Sequence, residues 1–328
     1  MQFFTKVDIK PFDKKIDHGA PILSLGSCFA DNIAKRLQRA KFTTTASPTG
    51  ILFNPESIAR AIERFAEASH SEDTLPTADG LLQSNGLWYS YDFHSSLSHT
   101  NADTALSQMR EAVMRGTEAL TAAEVVIITF GTAFVYRLNA SGEVVANCHK
   151  QPQKLFTRQM LSAEEIVKRY NTLLQGPLAD KRMIFTLSPV RHLGDGLEQN
   201  SLSKATLRVA IAEIVSTNRN AEYFPSYEIM MDELRDYRFY ADDMAHPSPL
   251  AVDYIWERFG QTIFSSDTLE LNSRIERILT AAEHRPFNPD SDAHRTFCRR
   301  MMAECELLEA DAPSIHLDKE KEYFRGYL

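Results

Sequence analysis

The segment Glu124-Val125-Val126-Ile127-Ile128-Thr129-Phe130-Gly131 constrains the fold more than any other stretch of this chain. Val125 to Phe130 is β-branched and apolar, and a glycine closes it. A strand of this kind with no polar face has to be covered on both sides. That is the situation of a strand inside a parallel sheet with helices packed above and below it.

Three further runs read the same way: Pro21-Ile22-Leu23-Ser24-Leu25-Gly26, Arg182-Met183-Ile184-Phe185-Thr186-Leu187 and Ala221-Glu222-Tyr223-Phe224. Helical spacing fills the intervals. Ser27 to Ala40 puts Phe29, Ile33, Ala34 and Leu37 on one face. Asn54-Pro55 opens a helix through about Ala68, and another runs from about Asp103 to Leu120. Ser162 to Leu174 begins with the capping box Ser162-Ala163-Glu164-Glu165, and a long helix covers about Asn200 to Asn218. Residues 69–86 read as loop, Trp88 to Phe93 as an exposed strand, and Phe134 to Val145 as a hairpin. A helix over Ser248 to Thr262 closes the α/β domain. Two amphipathic helices then follow, over 267–284 and 291–310, with no further sheet signal. The expected organisation is a lead-in over 1–20, an α/β domain over 21–265 and a helical appendage over 266–328. In open parallel sheets ligands bind at the carboxyl ends of the strands, so each strand-end segment is a site candidate.

Composition excludes several partner classes. A net charge of −8 over 328 residues gives no broad electrostatic grip on nucleic acid or an anionic membrane. No run approaches the roughly 20 apolar residues of a membrane helix. The four cysteines form no C-x-x-C pair, the opening residues carry no secretory signal, and a cytoplasmic setting with reduced thiols is expected. No P-loop or G-x-G-x-x-G pattern is present, and the Cys and His spacings fit no zinc pattern, so neither cofactor nor metal is expected.

Two segments carry nucleophile and base chemistry. Gly26-Ser27-Cys28 lies between a strand and a helix N-terminus. There, unpaired N–H groups and the positive end of the helix dipole face any side chain, which lowers a thiol pKa and stabilises an oxyanion. Ser27 and Cys28 are both nucleophile types; the same residues also fit a plain N-cap followed by a small buried side chain. Asp242-Asp243-Met244-Ala245-His246-Pro247 holds His246 on an extended segment before proline. Asp243, three residues earlier, is spaced to orient its ring, as an aspartate orients a general base. Two further pairs at strand ends, His149-Lys150 and Arg191-His192, have the chemistry to hold a carboxylate, phosphate or sugar.

Leu23-Ser24-Leu25-Gly26-Ser27-Cys28-Phe29-Ala30 resembles the signature of the GSCFA family. Pro48 to Pro55, Gly131-Thr132-Ala133, Asn147-Cys148-His149-Lys150 and Ser188-Pro189-Val190-Arg191-His192 are also similar to it. The likeness spans roughly residues 20–260. The family looks like a remote branch of the SGNH (GDSL-type) hydrolases, which carry an early Gly-Asp-Ser and a late D-x-x-H-P. The resemblance implies a flavodoxin-like, three-layer SGNH-hydrolase-like domain. It also implies that Asp243 and His246 are the acid and base of a triad. Laid without a gap on Gly-Asp-Ser, Gly26 matches the glycine and Cys28 the nucleophile; a shift of one residue makes it Ser27. The superfamily's oxyanion hole implies Gly50 as the second-block glycine. Gly131-Thr132-Ala133 stands where G-x-N belongs and lacks the asparagine, leaving Asn54 or Asn147 to replace it.

The implied activity is acyl-ester hydrolysis on a small-molecule or carbohydrate ester. Transfer of the acyl group to a sugar or other alcohol is the alternative enzyme. A binding protein that has lost the chemistry is the alternative outside enzymes.

Overall fold

The computed structural model describes residues 4–328. In chain order the elements are β1 (Ile22–Gly26), α1 (Cys28–Arg39), β2 (Thr44–Ala46), α2 (Pro55–Ala68), β3 (Leu82–Ser84), β4 (Leu87–Tyr89) and α3 (Ala102–Ala122). Next come β5 (Val125–Phe130), β6 (Phe134–Leu138), β7 (Val144–Val145), β8 (Phe156–Met160), α4 (Ala163–Gln175), β9 (Arg182–Leu187), α5 (Leu197–Thr217) and β10 (Ala221–Phe224). The chain ends with the short α6 (Ser226–Glu228), α7 (Pro249–Ile263), α8 (Ser266–Glu283), α9 (Asp292–Asp311) and α10 (Asp318–Arg325).

Five strands form one parallel sheet in the order β10-β9-β5-β1-β2. Numbered along the chain this is the flavodoxin-like order 2-1-3-4-5. The side-chain alternation of the strands sorts the core into two layers. Leu23, Leu25, Val126, Ile128, Phe130, Met183 and Phe185 meet α2, α3, α4 and α5 through residues such as Ile62, Met109, Tyr170 and Ile211. Ile22, Val125, Ile127, Ile184 and Phe224 face the other way, onto Phe29 and Ile33 of α1 and Ile255 and Phe259 of α7. The sandwich expected from the apolar runs is therefore present.

Three sheet elements depart from the sequence reading. Thr44–Ala46 is an edge strand beside β1 that the reading lacks. Three half-exposed residues carry no apolar run, and an edge strand needs none. The expected hairpin over Phe134 to Val145 has a third member, because β8 pairs antiparallel with β6. Its sequence, Phe-Thr-Arg-Gln-Met, is mostly exposed and polar, so nothing in it announces a strand. Within 69–86, read as loop, β3 pairs with β4.

The C-terminal helices enclose their own cluster of Ile275, Ile278, Cys298, Cys305, Leu308, Leu317 and Phe324. They dock on the end of α1 through polar contacts. Arg39 donates to Glu276 at 2.9 Å and to Glu283 at 2.5 Å, and Lys41 pairs with Glu320 at 2.8 Å.

The site end of the sheet rests on one close approach. Gly26, the last residue of β1, has φ +139, and a Cβ there would stand 2.2 Å from the carbonyl oxygen of Thr129 on β5. Gly26→Ala is expected to lower unfolding free energy by about 3 kcal/mol or more, from backbone strain and overpacking together. Urea denaturation measures it, and a variant as stable as the parent refutes the constraint.

Candidate functional site

Three loops meet at the carboxyl ends of β1 and β5, where the strand order reverses. Leu52 donates its N–H to Gly26 O at 3.0 Å, and Gly131 and Thr132 donate theirs to Phe53 O at 2.8 and 2.9 Å. A Cβ on Gly131 would lie 2.9 Å from Phe53 O and 3.3 Å from Ser27 Cβ, so only glycine lets the three chains close up.

Ser27 is buried and caps α1, its hydroxyl accepting the N–H of Phe29 at 3.3 Å. Cys28 follows as the first residue of the helix and is half-buried. Its own N–H has no intrahelical acceptor at that position. Burial pushes the thiol pKa up, with Asp31 adding to the rise; the N–H groups of Cys28 and Phe29 and the charge of Lys204 oppose it. Asp31 itself accepts from the Ser47 hydroxyl at 2.8 Å.

Asp243 and His246 are hydrogen-bonded to each other. Asp243 Oδ1 accepts the N–H groups of Ala245 and His246, both at 2.9 Å, and Oδ2 lies 2.6 Å from His246 Nδ1. Those two N–H groups, with the His246 ring, hold the carboxyl down at about 2. An ionised carboxylate accepts only, so the Nδ1 proton lies in this bond and the neutral ring keeps its lone pair on Nε2. The pair is about half-exposed. Among the described residues, neither Ser27 nor Cys28 hydrogen-bonds His246. Nucleophile–base bonds commonly close only when substrate binds.

His192 sits beside both halves of the site. Its ring packs edge-on to Phe53 with centroids 5.8 Å apart, and its N–H donates to Asn200 at 3.0 Å. Nε2 is buried without a partner among the described residues. Burial first, then the charges of Lys204 and His246, lower its pKa to about 4. It is therefore a neutral imidazole at pH 7. The preceding residue, Arg191, donates its N–H to Ala245 O at 3.0 Å, which fastens the His246 loop to the segment after β9. Its guanidinium lies 4.1 Å from the ring centre of Tyr240 and 5.1 Å from that of Tyr237.

Several residues expected here do other work. Gly50 was to donate to an oxyanion, but its N–H is committed to Ser47 O at 2.8 Å. Its φ of +85 and the 2.2 Å from a would-be Cβ to His94 Cβ explain the glycine instead. The Gly131 N–H is likewise committed, to Phe53 O. Asn147 Oδ1 accepts the N–H of His149 at 2.7 Å, and His149 Nε2 lies 2.9 and 3.1 Å from the carbonyls of Ser90 and Phe93. That pair clamps a loop. Lys150 is exposed, with φ +56. Asn54 caps α2 through Oδ1, bonded to the Ser57 N–H at 2.8 Å, and keeps its Nδ2 hydrogens free among the described residues.

Lys204 is the residue that the sequence reading missed. It is fully buried on α5, and Nζ donates to Gly131 O at 2.6 Å and to Ser188 O at 2.7 Å. Burial lowers its pKa to about 7. A signal was available: Lys204 falls at helical spacing with the buried Leu207, Ile211 and Ile214 of α5.

Among the described residues no group of three or more His, Cys, Asp or Glu is arranged to hold a metal, and no helix is long and apolar enough to cross a membrane. A cavity of about 780 Å³ lies at the opposite, amino ends of the strands, lined by Lys15, Glu124, Arg182 and Glu222 among others.

Sheet order and strand-end loops thus define a flavodoxin-like α/β protein with its polar cluster at the topological switch point. The chain belongs to the GSCFA family, whose model matches residues 21–259; the model of the GSCFA domain protein, C-terminal domain, matches residues 275–328. No curated protein matches the chain.

Because the folded His192 titrates near 4 and an unfolded histidine near 6.5, the unfolded chain takes up the proton first as pH falls. The stability contributed by neutral His192 is present above about pH 6.5 and lost down to about pH 4. His192→Gln is expected to lack that part of the acid slope. Thermal unfolding of both proteins from pH 8 to pH 4 checks this; parallel slopes refute it.

Proposed function

We propose that this chain is an SGNH-like thiol enzyme that hydrolyses an acyl ester, with Cys28 as nucleophile and His246 and Asp243 as base and orienting acid. The observation that carries the reading is the Asp243–His246 pair, with Nδ1 bound to an ionised carboxylate at 2.6 Å and Nε2 left free. That is the arrangement a general base requires, and it stands on the loop fastened beside His192 at the carboxyl end of the sheet. The capping duty of the Ser27 hydroxyl favours Cys28 over Ser27 as the attacking residue.

In this scheme the thiol proton of Cys28 passes to His246 Nε2 as Sγ attacks the ester carbonyl, and the carbonyl π electrons move onto oxygen. The Cys28 N–H receives the oxyanion, helped by Asn54 Nδ2 and His192 Nε2, two side-chain donors with no other commitment among the described residues. They take the role of the absent G-x-N asparagine, which is worth about 3 kcal/mol of transition-state stabilisation in related arrangements. A neutral imidazole is the better donor here, because it adds no second cation beside Lys204. Collapse of the intermediate breaks the bond to the alcohol, which leaves with a proton from the His246 imidazolium. His246 then takes a proton from water as that water attacks the thioester, releasing the acid and restoring the thiol.

The SGNH relationship is part of this proposal, supported by the early Gly-Ser-Cys turn, the late D-x-x-H-P and the strand order. A panel of acyl esters tests it. Cys28→Ala is expected to abolish turnover and His246→Ala to lower kcat/KM by about 10²–10⁴. Ser27→Ala loses only the cap, about 1 kcal/mol of stability. Full activity in His246→Ala, or loss of turnover in a stable Ser27→Ala with Cys28→Ala active, refutes the assignment. Appearance of the acyl group on an added sugar alcohol instead of water would make the enzyme an O-acyltransferase. No turnover, with a ligand still bound, would make it a binding protein.

A further inference from the structure

We propose that Lys204 is the positioning residue for Cys28: its buried amine takes the proton that the thiol gives up, and the resulting ammonium is the counter-charge of the thiolate. The inference rests on the reading of Cys28 as the attacking atom.

The geometry is that of a site built for a cation that lacks its anion. Nζ bridges the carboxyl ends of β5 and β9, bonded to Gly131 O and Ser188 O. Those two carbonyls occupy both hydrogens of a neutral amine, or two of the three on an ammonium. Lys204 makes no ion pair with a carboxylate among the described residues, although a fully buried ammonium without a counter-charge is strongly disfavoured. Gly131, whose carbonyl it grips, packs directly against Ser27 at the head of α1. The ionisable group whose charge bears on Lys204 from across the site is Cys28, and the relation is mutual.

The proton balance is simple. The S–H bond breaks with its electron pair left on sulfur, and the proton binds the lone pair of Nζ. The pair stays neutral overall, so no net charge is brought into the buried site. Burial disfavours the lone thiolate and the lone ammonium alike. Formed together, each offsets the other's desolvation. The other groups bearing on the pair are Asp31 on α1, which opposes the thiolate, and His192 after β9, which is neutral at pH 7; His246 acts on His192. During acylation His246 takes this proton over from the Lys204 ammonium and delivers it to the leaving alcohol, and the pair re-forms when the thiol is released.

The test is alkylation of Cys28 by iodoacetamide from pH 5 to pH 10, followed by peptide mass spectrometry, in the full chain and in Lys204→Met. The expected result is a midpoint at least one unit higher in the variant, read as a tenfold or greater loss of rate at pH 7.5. A merely structural lysine predicts the opposite sign, because loosening the loops admits water and lowers the midpoint. An unchanged or lower midpoint in a folded variant overturns the proposal. The second measurement keeps both Lys204 carbonyl contacts and decides alone if Lys204→Met does not fold. It follows the ¹³Cε signal of the lysine that titrates near pH 7, in the parent and in Cys28→Ala. Coupling requires its midpoint to fall when the thiol is removed; an unchanged midpoint overturns the proposal. Neither readout uses a substrate. An ester panel without turnover therefore leaves this result standing, and a failed coupling leaves a Cys28-dependent turnover standing.

Discussion

The contact of Gly26 with Thr129 is the constraint on which the rest of the site depends. The two strands pair in register as far as Gly26 and Thr129, and β1 then turns immediately into α1. Because Gly26 has no side chain, Ser27 can donate its N–H to Thr129 O at 3.2 Å and begin the helix at once. The helix N-terminus is thereby held at the point where the sheet reverses its strand order. In a flavodoxin-like sheet that point is a crevice by topology, since the connections from the two central strands leave on opposite faces. Gly131 completes the arrangement, and its carbonyl becomes an acceptor for Lys204.

Volume and chemistry separate in this molecule. The cavity of about 780 Å³ at the amino ends of the strands mixes Lys15, Lys181 and Arg182 with Glu124, Asp180 and Glu222. Two of its cations have partners: Arg182 pairs with Glu222 at 2.7 Å and Lys15 with Thr262 O at 2.9 Å. At the other end, uncommitted groups gather instead: the Cys28 N–H, Asn54 Nδ2, His192 Nε2 and His246 Nε2. Convergence of unsatisfied polar groups, not volume, distinguishes the site.

The fold was readable wherever a short-range rule forces the structure. Val125–Phe130 and Arg182–Leu187 are apolar on both faces and had to be interior strands, and Ser162 with Glu165 closes the capping box that starts α4. Thr44–Ala46 and Phe156–Met160 were not readable, because an edge strand and an exposed ribbon take their pairing from neighbours and not from their own residues. The site divides in the same way. Asp243 and His246 are three residues apart, and their bond is local, so the sequence displays it. Whether the N–H of Gly50 or Gly131 is free depends on Ser47 and Phe53 meeting them across loops, which no spacing reveals. Lys204 was hidden for another reason: a lysine on a helix is ordinarily solvated, and only its place in the apolar stripe marks it as buried.

The electrostatics of the cluster limit how many cations it can hold. Lys204, His192 and His246 all carry a positive charge when protonated, and His192 is depressed partly by the other two. In a half-buried region three adjacent cations would repel one another strongly. The structure avoids this by giving each base a different environment. Asp243 faces His246 alone, burial and two carbonyls surround Lys204, and His192 Nε2 has no hydrogen-bond partner among the described residues. Burial lowers the pKa of both Lys204 and His192, and His192, with no partner on Nε2, stays neutral as the site takes up charge. Environments that push neighbouring groups apart in this way let one donate a hydrogen bond while another moves a proton.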